Sequence, residues 1–534
     1  MKKTALIAIA IAIAIVFGVI FAAFGLTAPH LWNSPDETAV AYFVKSFIMS
    51  NRLWVVEPYN ILGPGVVHPR SVIALGDYLV PASFYGSIYF FGALAKLAGE
   101  SVLAWGTPAM SALASLCVFF VIRKIFDARR AIIAQIFFLA NPAVWYFSSR
   151  GLFPNALFLD MAIIGLAALY LRPWQSFAKG RGVAWLEMMI DDVVGIFFLG
   201  FAFLVRPVEF IWLAPLIIVM LWFGRKKLNA LRIITGLIVV GAFIGVFFHD
   251  NYSLYGGILS SGYTAGALNP GIAAPAVGVA SRLPAFISSP RPFILPFGFH
   301  PHAAVANMWN YMVAFAWWLP ALALIGFLLT KERTARRHFS RAFWWTAIVL
   351  GVYYGSGVFV DSSVSQWTVG SSYVRYFLPA SVLLVPLAAE GVYRMSMKRR
   401  WVAPLAVGVF VALSAWTVYY RSSESLVPML ATLRHYETIK TAVLKEVPKD
   451  GVIVTERDDK IFFPDRKVVI GLRDKAVLDR LPVLEVRGLY YYGITIKESE
   501  LPYINKELGD RGLQLGHYKT FGNESLYGIT KISK

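Results

Sequence analysis

One cysteine, Cys117, occurs in the 534 residues. A disulfide framework within the chain, a Cys-x-x-Cys redox pair and a thiolate metal cluster are therefore excluded. Lying inside an apolar run, Cys117 reads as a small buried residue. Charge is scarce as well: 15% of residues are Asp, Glu, Lys or Arg, against 57% apolar. That excludes a string of ordinary soluble domains and indicates a polytopic membrane protein. No Gly-x-x-x-x-Gly-Lys-[Ser/Thr] loop or dinucleotide fingerprint occurs, which argues against a nucleotide-driven pump. No internal repeat or inverted pair of broken spans is visible, which speaks against many carriers. Acidic residues number 31 against 50 basic ones, for a net charge of +19. In a soluble chain that excess would suggest nucleic acid. Here its distribution is topological, and no nucleic-acid partner is expected.

Residues 5–26 follow Met1-Lys2-Lys3 as an apolar run longer than a signal-peptide core, so they read as an uncleaved first span. Further spans are expected near 101–122, 131–147, 152–171, 192–205, 208–223, 228–248, 306–330, 342–360, 373–393 and 401–420, about eleven in all. Segment 77–97 is long enough to cross but carries Asp77, Pro81 and Lys96. If it lies on the surface, six basic clusters share one side, from Lys2/Lys3 through Arg129/Arg130 and Arg336/Arg337 to Arg399/Arg400. The positive-inside rule then places the N-terminus in the cytoplasm of a cell-membrane protein. The expected architecture is a polytopic α-helical membrane domain over 1–420, with outer juxtamembrane helices in a first loop at 27–100. A second, glycine- and proline-rich outer loop covers 249–305. In 421–534 charges of both signs become frequent and strand-like runs appear (VIVTE, KVVI, LEVRGLYYYGITI, and a hairpin in LQLGHYKTFGNESLYGITKI). This predicts a small soluble α/β domain outside the membrane.

The first outer loop opens NSPDETAVAYFVKSFIMS. Ser34, Pro35, Asp36 and Glu37 fit N-cap, N1, N2 and N3 of a helix, with Ser34 and Glu37 as a capping box. Acidic residues in a first turn satisfy orphan N–H groups and the helix dipole, which is explanation enough for the pair. If Glu37 turns back to cap, however, Asp36 points about 100° away around the helix and is available for chemistry. Apolar positions 39, 40, 43, 44, 47 and 48 give the helix one buried face. Val67-His68-Pro69-Arg70 follows, then segment 77–97.

This order resembles the GT-C superfamily of membrane glycosyltransferases: an N-terminal span, an outer Asp-Glu on a juxtamembrane helix, a His-Pro turn about thirty residues on, a second surface helix, and a basic-ended span. The likeness is to the protein O-mannosyltransferase and aminoarabinose-transferase branch, which takes a sugar from a polyprenyl-phosphate carrier. The resemblance implies Asp36 as catalytic carboxylate near the acceptor hydroxyl, with Glu37 in support. It implies a donor-site role for His68. Arg70 departs from the His-Pro-Pro of the mannosyltransferases, so mannose is not implied. Contact with the donor phosphate and contact with lipid headgroups are both open to it. The Trp-Trp-Asp-Tyr-Gly signature of oligosaccharyltransferases is absent.

Arginines at outer span ends are the second constellation: Arg150, Arg206 and Arg375. The planar guanidinium binds two phosphate oxygens at once; snorkelling to headgroups is the plainer alternative. Asp160 and Glu209 lie in apolar runs, where a carboxylate is costly and marks a possible intramembrane site. An i,i+3 pair with Arg206 explains Glu209 more cheaply. His300-Pro301-His302 offers two nitrogens and no nearby acid, a poor metal motif. The sequence identifies no definite cofactor, and a lone Asp-Glu pair is compatible with metal-free or divalent-cation-assisted chemistry.

The expectation is an inverting transferase that moves a monosaccharide from a polyprenyl-phosphate donor to an acceptor protein, lipid or glycan at the outer face. Loop 249–305 would close over the sugar. The alternatives are a lipid or solute transporter, with Asp160 and Glu209 on its pathway, and a polysaccharide polymerase or ligase using a lipid-diphosphate oligosaccharide.

Overall fold

The computed structural model of the protein describes residues 3–172, 184–224, 230–262, 295–330, 332–359 and 367–532. Contacts divide the chain into two compact units. One comprises Met1–Thr27, Ala98–Val246 and Leu283–Met429; the other comprises Ala28–Leu97, Phe247–Arg282 and Leu430–Lys534. The first outer loop, grouped by sequence with the membrane part, thus shares a unit with the tail. Most of the 249–305 loop, and with it the expected closure over a sugar, lies outside the described residues.

The first unit is helical. Its opening helix, Lys3–Thr27, has 25 residues and rises about 37 Å, enough to cross a hydrocarbon core of about 30 Å. Among the described residues five helices are long and apolar enough to cross a membrane, or up to eight if each of three bent pairs is one span. The chain is a multi-pass membrane protein. About eleven spans were expected, and two of those segments, 131–147 and 306–330, contain breaks that apolar composition does not signal. Segment 131–147 is not one straight helix: Ala128–Leu139 and Pro142–Arg150 meet at 55°. Asn141 caps the second of these by accepting from the Ala143 N–H (3.0 Å), and Pro142 has no N–H to continue the first. Segment 306–330 is likewise Pro301–Ala314 and Trp318–Leu329, bent by 84°, with Pro320 in the first turn of the second helix. Ile190–Val205 and Pro207–Trp222 meet at 116°, and Arg206 occupies the corner.

In the second unit the Pro35–Ser50 helix carries the expected buried face of Ala39, Val40, Phe43 and Val44. Segment 77–97 divides into a strand and a helix. Strands β1 (Val55–Val56), β2 (Val72–Leu75) and β3 (Tyr78–Pro81) form a sheet in the order β1-β3-β2. The helix Gly86–Ala98 has 13 residues, so it rises only about 20 Å, short of a crossing.

The tail forms a five-stranded mixed sheet from β4 (Val452–Thr455), β5 (Lys467–Ile470), β6 (Leu489–Ile494), β7 (Leu513–Phe521) and β8 (Glu524–Lys531), in the order β5-β4-β6-β8-β7. Strand β4 runs parallel to both neighbours. Its four residues are buried on both faces, which accounts for its unbroken apolar run. The β7–β8 hairpin turns on Gly522 and Asn523, and the positive φ of 66° at Gly522 is what such a tight two-residue turn requires. The strand expected over 484–496 begins only at Leu489. The residues before it form the helical turns Leu481–Leu484 and Glu485–Arg487, with Pro482 placed in the first turn, where its missing N–H costs nothing. Val66 and Val67 of the first loop enter the same core as Val452, Val469, Leu484 and Tyr527.

Candidate functional site

The residues singled out by sequence fall into two groups. Asp36, Glu37, His68 and Arg70 belong to the second unit; Arg150, Asp160, Arg206, Glu209 and Arg375 belong to the first.

Around Asp36 the local structure follows from the capping box. Glu37 is fully buried and its Oε2 accepts from the Ser34 N–H (3.2 Å), while Ser34 Oγ accepts from the Asp36 N–H (3.3 Å). Glu37 is therefore occupied with holding the helix start, and Asp36 projects elsewhere. Its Oδ1 accepts a hydrogen bond from Ser71 Oγ at 2.7 Å. Ser71 has φ +61°, a left-handed conformation rare for a residue with a Cβ. Such strain persists only where the surroundings enforce it, and it concentrates at functional sites. The surroundings here are plain. Arg70 N–H donates to Asp459 Oδ2 (2.9 Å) and Arg70 Nε to Asp459 Oδ1 (2.8 Å). Arg70 Nη2 also binds the Arg457 carbonyl. On the other side of Ser71, its carbonyl accepts from the Ala82 N–H (3.1 Å), extending the β2–β3 ladder. Arg70 is thus committed to a buried carboxylate of the tail. His68 Nδ1 donates to the Pro69 carbonyl (3.0 Å), and burial lowers the pKa of its imidazole. At neutral pH it is an uncharged polar group.

The arginines of the first unit converge. Arg150 closes the Pro142–Arg150 helix, Arg206 follows Val205 at the sharp corner, and Arg375 lies in the short Ser372–Tyr376 helix. Arg150 and Arg375 share the ring of Phe153, their guanidinium carbons 5.0 and 5.2 Å from its centroid. Arg375 and Arg206 share Tyr376, at 5.2 and 5.5 Å. Three cations from three helix ends are thus strung on two rings. Cation–π attraction offsets part of the repulsion among them. Arg206 is anchored by Glu209 at 3.1 Å, the i,i+3 pair expected. Glu209 also accepts from Trp212 Nε1 (2.7 Å) and the Tyr354 hydroxyl (3.0 Å). Asn155 joins the group: its Oδ1 accepts from Arg206 (3.4 Å) and its Nδ2 donates to the Arg375 carbonyl (3.4 Å). Asp160, on the same helix as Asn155, is buried and accepts from Ser111 of a neighbouring helix. Ser111 in turn meets Ser148 at 2.8 Å.

Ser71, Asn155, Tyr354 and Asp459 were not singled out by sequence. Asn155, directly after Phe153-Pro154 at a helix start, carried a weak signal; the others carried none. No group of three or more His, Cys, Asp or Glu placed to hold a metal occurs among the described residues.

Near Arg70 the Asp458 carboxyl is pushed up to about 6, first by burial and then by the Glu524 carboxylate. An acid whose pKa rises on folding from 3.8 to about 6 contributes stability below the lower value and loses it as pH climbs through the upper one. Asp458→Asn is therefore expected to be more stable than the native chain at pH 7.5, by on the order of 1–2 kcal/mol, with the advantage vanishing near pH 4. Thermal unfolding in detergent across that range measures it; a difference independent of pH would contradict the assignment.

No protein-family model matches the chain, and no curated protein matches it in sequence. Solved structures do match in fold. ArnT from Cupriavidus metallidurans in the apo state aligns with a TM-score of 0.50 at 12% identity, over 99% of this chain and 98% of that one. The archaeal oligosaccharyltransferase AglB from Archaeoglobus fulgidus, in complex with an inhibitory peptide and a dolichol-phosphate, aligns at 0.50 and 14%, over 99% of this chain and 74% of that one. At such identities the likeness establishes architecture: the chain has the GT-C fold.

Proposed function

From a GT-C fold, we propose that this protein is an inverting glycosyltransferase that moves one monosaccharide from a polyprenyl-phosphate donor to an acceptor at the outer face of the cell membrane, its N-terminus cytoplasmic. The observation that carries the reading is the convergence of Arg150, Arg206 and Arg375 on the rings of Phe153 and Tyr376. Guanidinium groups gathered at helix ends suit a phosphate on a lipid carrier. The dolichol-phosphate bound to AglB supports the same donor chemistry.

The acceptor oxygen attacks the anomeric carbon, the bond from that carbon to the phosphate oxygen breaks, and the polyprenyl phosphate departs with the bonding electrons. Asp36 takes the acceptor proton as general base, its carboxylate oriented by the Ser71 hydroxyl. One displacement inverts the anomeric centre. Glu37 supports the helix that presents Asp36. Arg70, engaged by Asp459 through both Nε and its backbone N–H, is assigned to holding this cradle in place, with His68 beside it as a neutral group.

Proteoliposomes containing the purified protein and a sugar-labelled polyprenyl-phosphate monosaccharide separate this reading from transport. Label is expected to leave the lipid, onto an acceptor or slowly into water. Label that changes leaflet while still attached to its lipid would overturn the reading.

A further inference from the structure

We infer that Asp459, in the soluble tail, is a positioning residue for the carboxylate of Asp36, acting through Arg70 and Ser71. The inference rests on the proposed function, because positioning matters only if Asp36 does chemistry. The geometric chain stands by itself. Asp459 is fully buried and holds Arg70 twice, once by its backbone N–H and once by its guanidinium. That grip lies one residue before Ser71. With the Ala82 N–H bound to the Ser71 carbonyl, both flanks of Ser71 are tied, and its φ of +61° is held against the usual preference of a serine. The hydroxyl is thereby fixed 2.7 Å from Asp36 Oδ1.

The same tail turn, Asp459–Phe462, reaches the other side of Asp36. Lys460 Nζ donates to Asn33 Oδ1 at 3.0 Å, just ahead of the N-cap. The ring of Phe463 meets Tyr42, on the helix that carries Asp36, edge to face at 4.5 Å. One turn of the tail therefore holds the segment before Asp36, the helix after it and the residue that orients its carboxylate. A turn that merely docked a domain would have no need to force Ser71 into a left-handed conformation.

The experiment compares wild type with Asp459→Ala, Ser71→Ala and the double variant as full-length folded protein. Each single change is expected to lower kcat about 10- to 100-fold, as loss of orientation does, while the donor KM moves less than twofold. In the double variant kcat falls no further than in the more damaged single one, since both changes break the same linkage. Losses that multiply, or a KM that rises while kcat holds, would overturn the inference. Removing Asp459 alone leaves Arg70 short of its partner and risks misfolding. The Arg70→Ala/Asp459→Ala pair removes both charges and is expected to show the same kcat loss.

Hydrogen exchange supplies a readout independent of turnover. In Asp459→Ala the Ala82 amide, bound to the Ser71 carbonyl, is expected to exchange at least tenfold faster, while amides of the Ile73–Val80 pairing stay protected. Unchanged Ala82 exchange would show that Asp459 does not set Ser71. If instead no donor is turned over, or Asp36→Asn stays active, the functional reading fails while the exchange result still decides the linkage.

Discussion

Asp36→Asn is expected to lower turnover by on the order of 10²- to 10⁴-fold, the range general-base catalysis contributes, in a protein that folds and binds donor as before. The amide keeps an oxygen for the Ser71 hydroxyl, and the capping box is made by Ser34 and Glu37, so the helix start is preserved. What is lost is the ability to take a proton and the negative charge near the attacking oxygen. Losing a first-turn charge costs the helix only about 0.3–1 kcal/mol through its dipole, too little to unfold it. Glu37→Gln should behave in the opposite way, because Glu37 serves the cap. It is expected to cost about 1 kcal/mol of stability and to leave the chemistry largely intact. Unfolding temperatures beside single-turnover rates for the two variants separate these outcomes. Equal activity losses for both would contradict the division of roles.

The arginines should part company in the same manner. Arg375 touches Ser372 Oγ and the rings of Phe153 and Tyr376. Arg375→Ala is therefore expected to cost a charge-assisted contact to phosphate of about 1.5–3 kcal/mol. That is roughly a 10- to 100-fold fall in kcat/KM, with a modest change in unfolding temperature. Arg206→Ala is a different experiment. It strands Glu209, which is buried among Trp212 and Tyr354, and breaking a buried pair from one side costs about 3–5 kcal/mol. It should destabilise the protein visibly, whereas Arg206→Ala/Glu209→Gln should recover much of that stability and still bind donor poorly. Affinity for a polyprenyl phosphate, measured alongside thermal unfolding, tests both statements. Full donor affinity in Arg375→Ala would remove that residue from the phosphate site.

What could be read from sequence was local. The capping box at Ser34–Glu37, the apolar face of its helix, the Arg206–Glu209 pair and most of the tail strands depend on residues at most a few positions apart, and the structure contains them. The Asp36 cradle does not follow that rule. Ser71 is 35 residues from Asp36, and nothing in its neighbours announces a left-handed serine. Asp459 lies nearly four hundred residues from Arg70, so that a cation read as facing phosphate or headgroups instead finds a buried carboxylate. The break inside 131–147 was missed for a related reason: hydropathy measures composition, while Asn141 and Pro142 act on hydrogen bonding and direction. Convergence of the three arginines needed the ring sharing of Phe153 and Tyr376, which only the fold brings about.

Inversion at the anomeric carbon during transfer from a polyprenyl-phosphate monosaccharide is what distinguishes the proposed reaction from its alternatives. Its most direct test is product analysis of purified wild-type protein given a panel of polyprenyl phosphates carrying different single sugars, beside a lipid-diphosphate oligosaccharide. One monosaccharide is expected to be released or transferred with its anomeric configuration inverted, and the diphosphate to be left untouched. Consumption of the diphosphate alone, or a product with retained configuration, would contradict it.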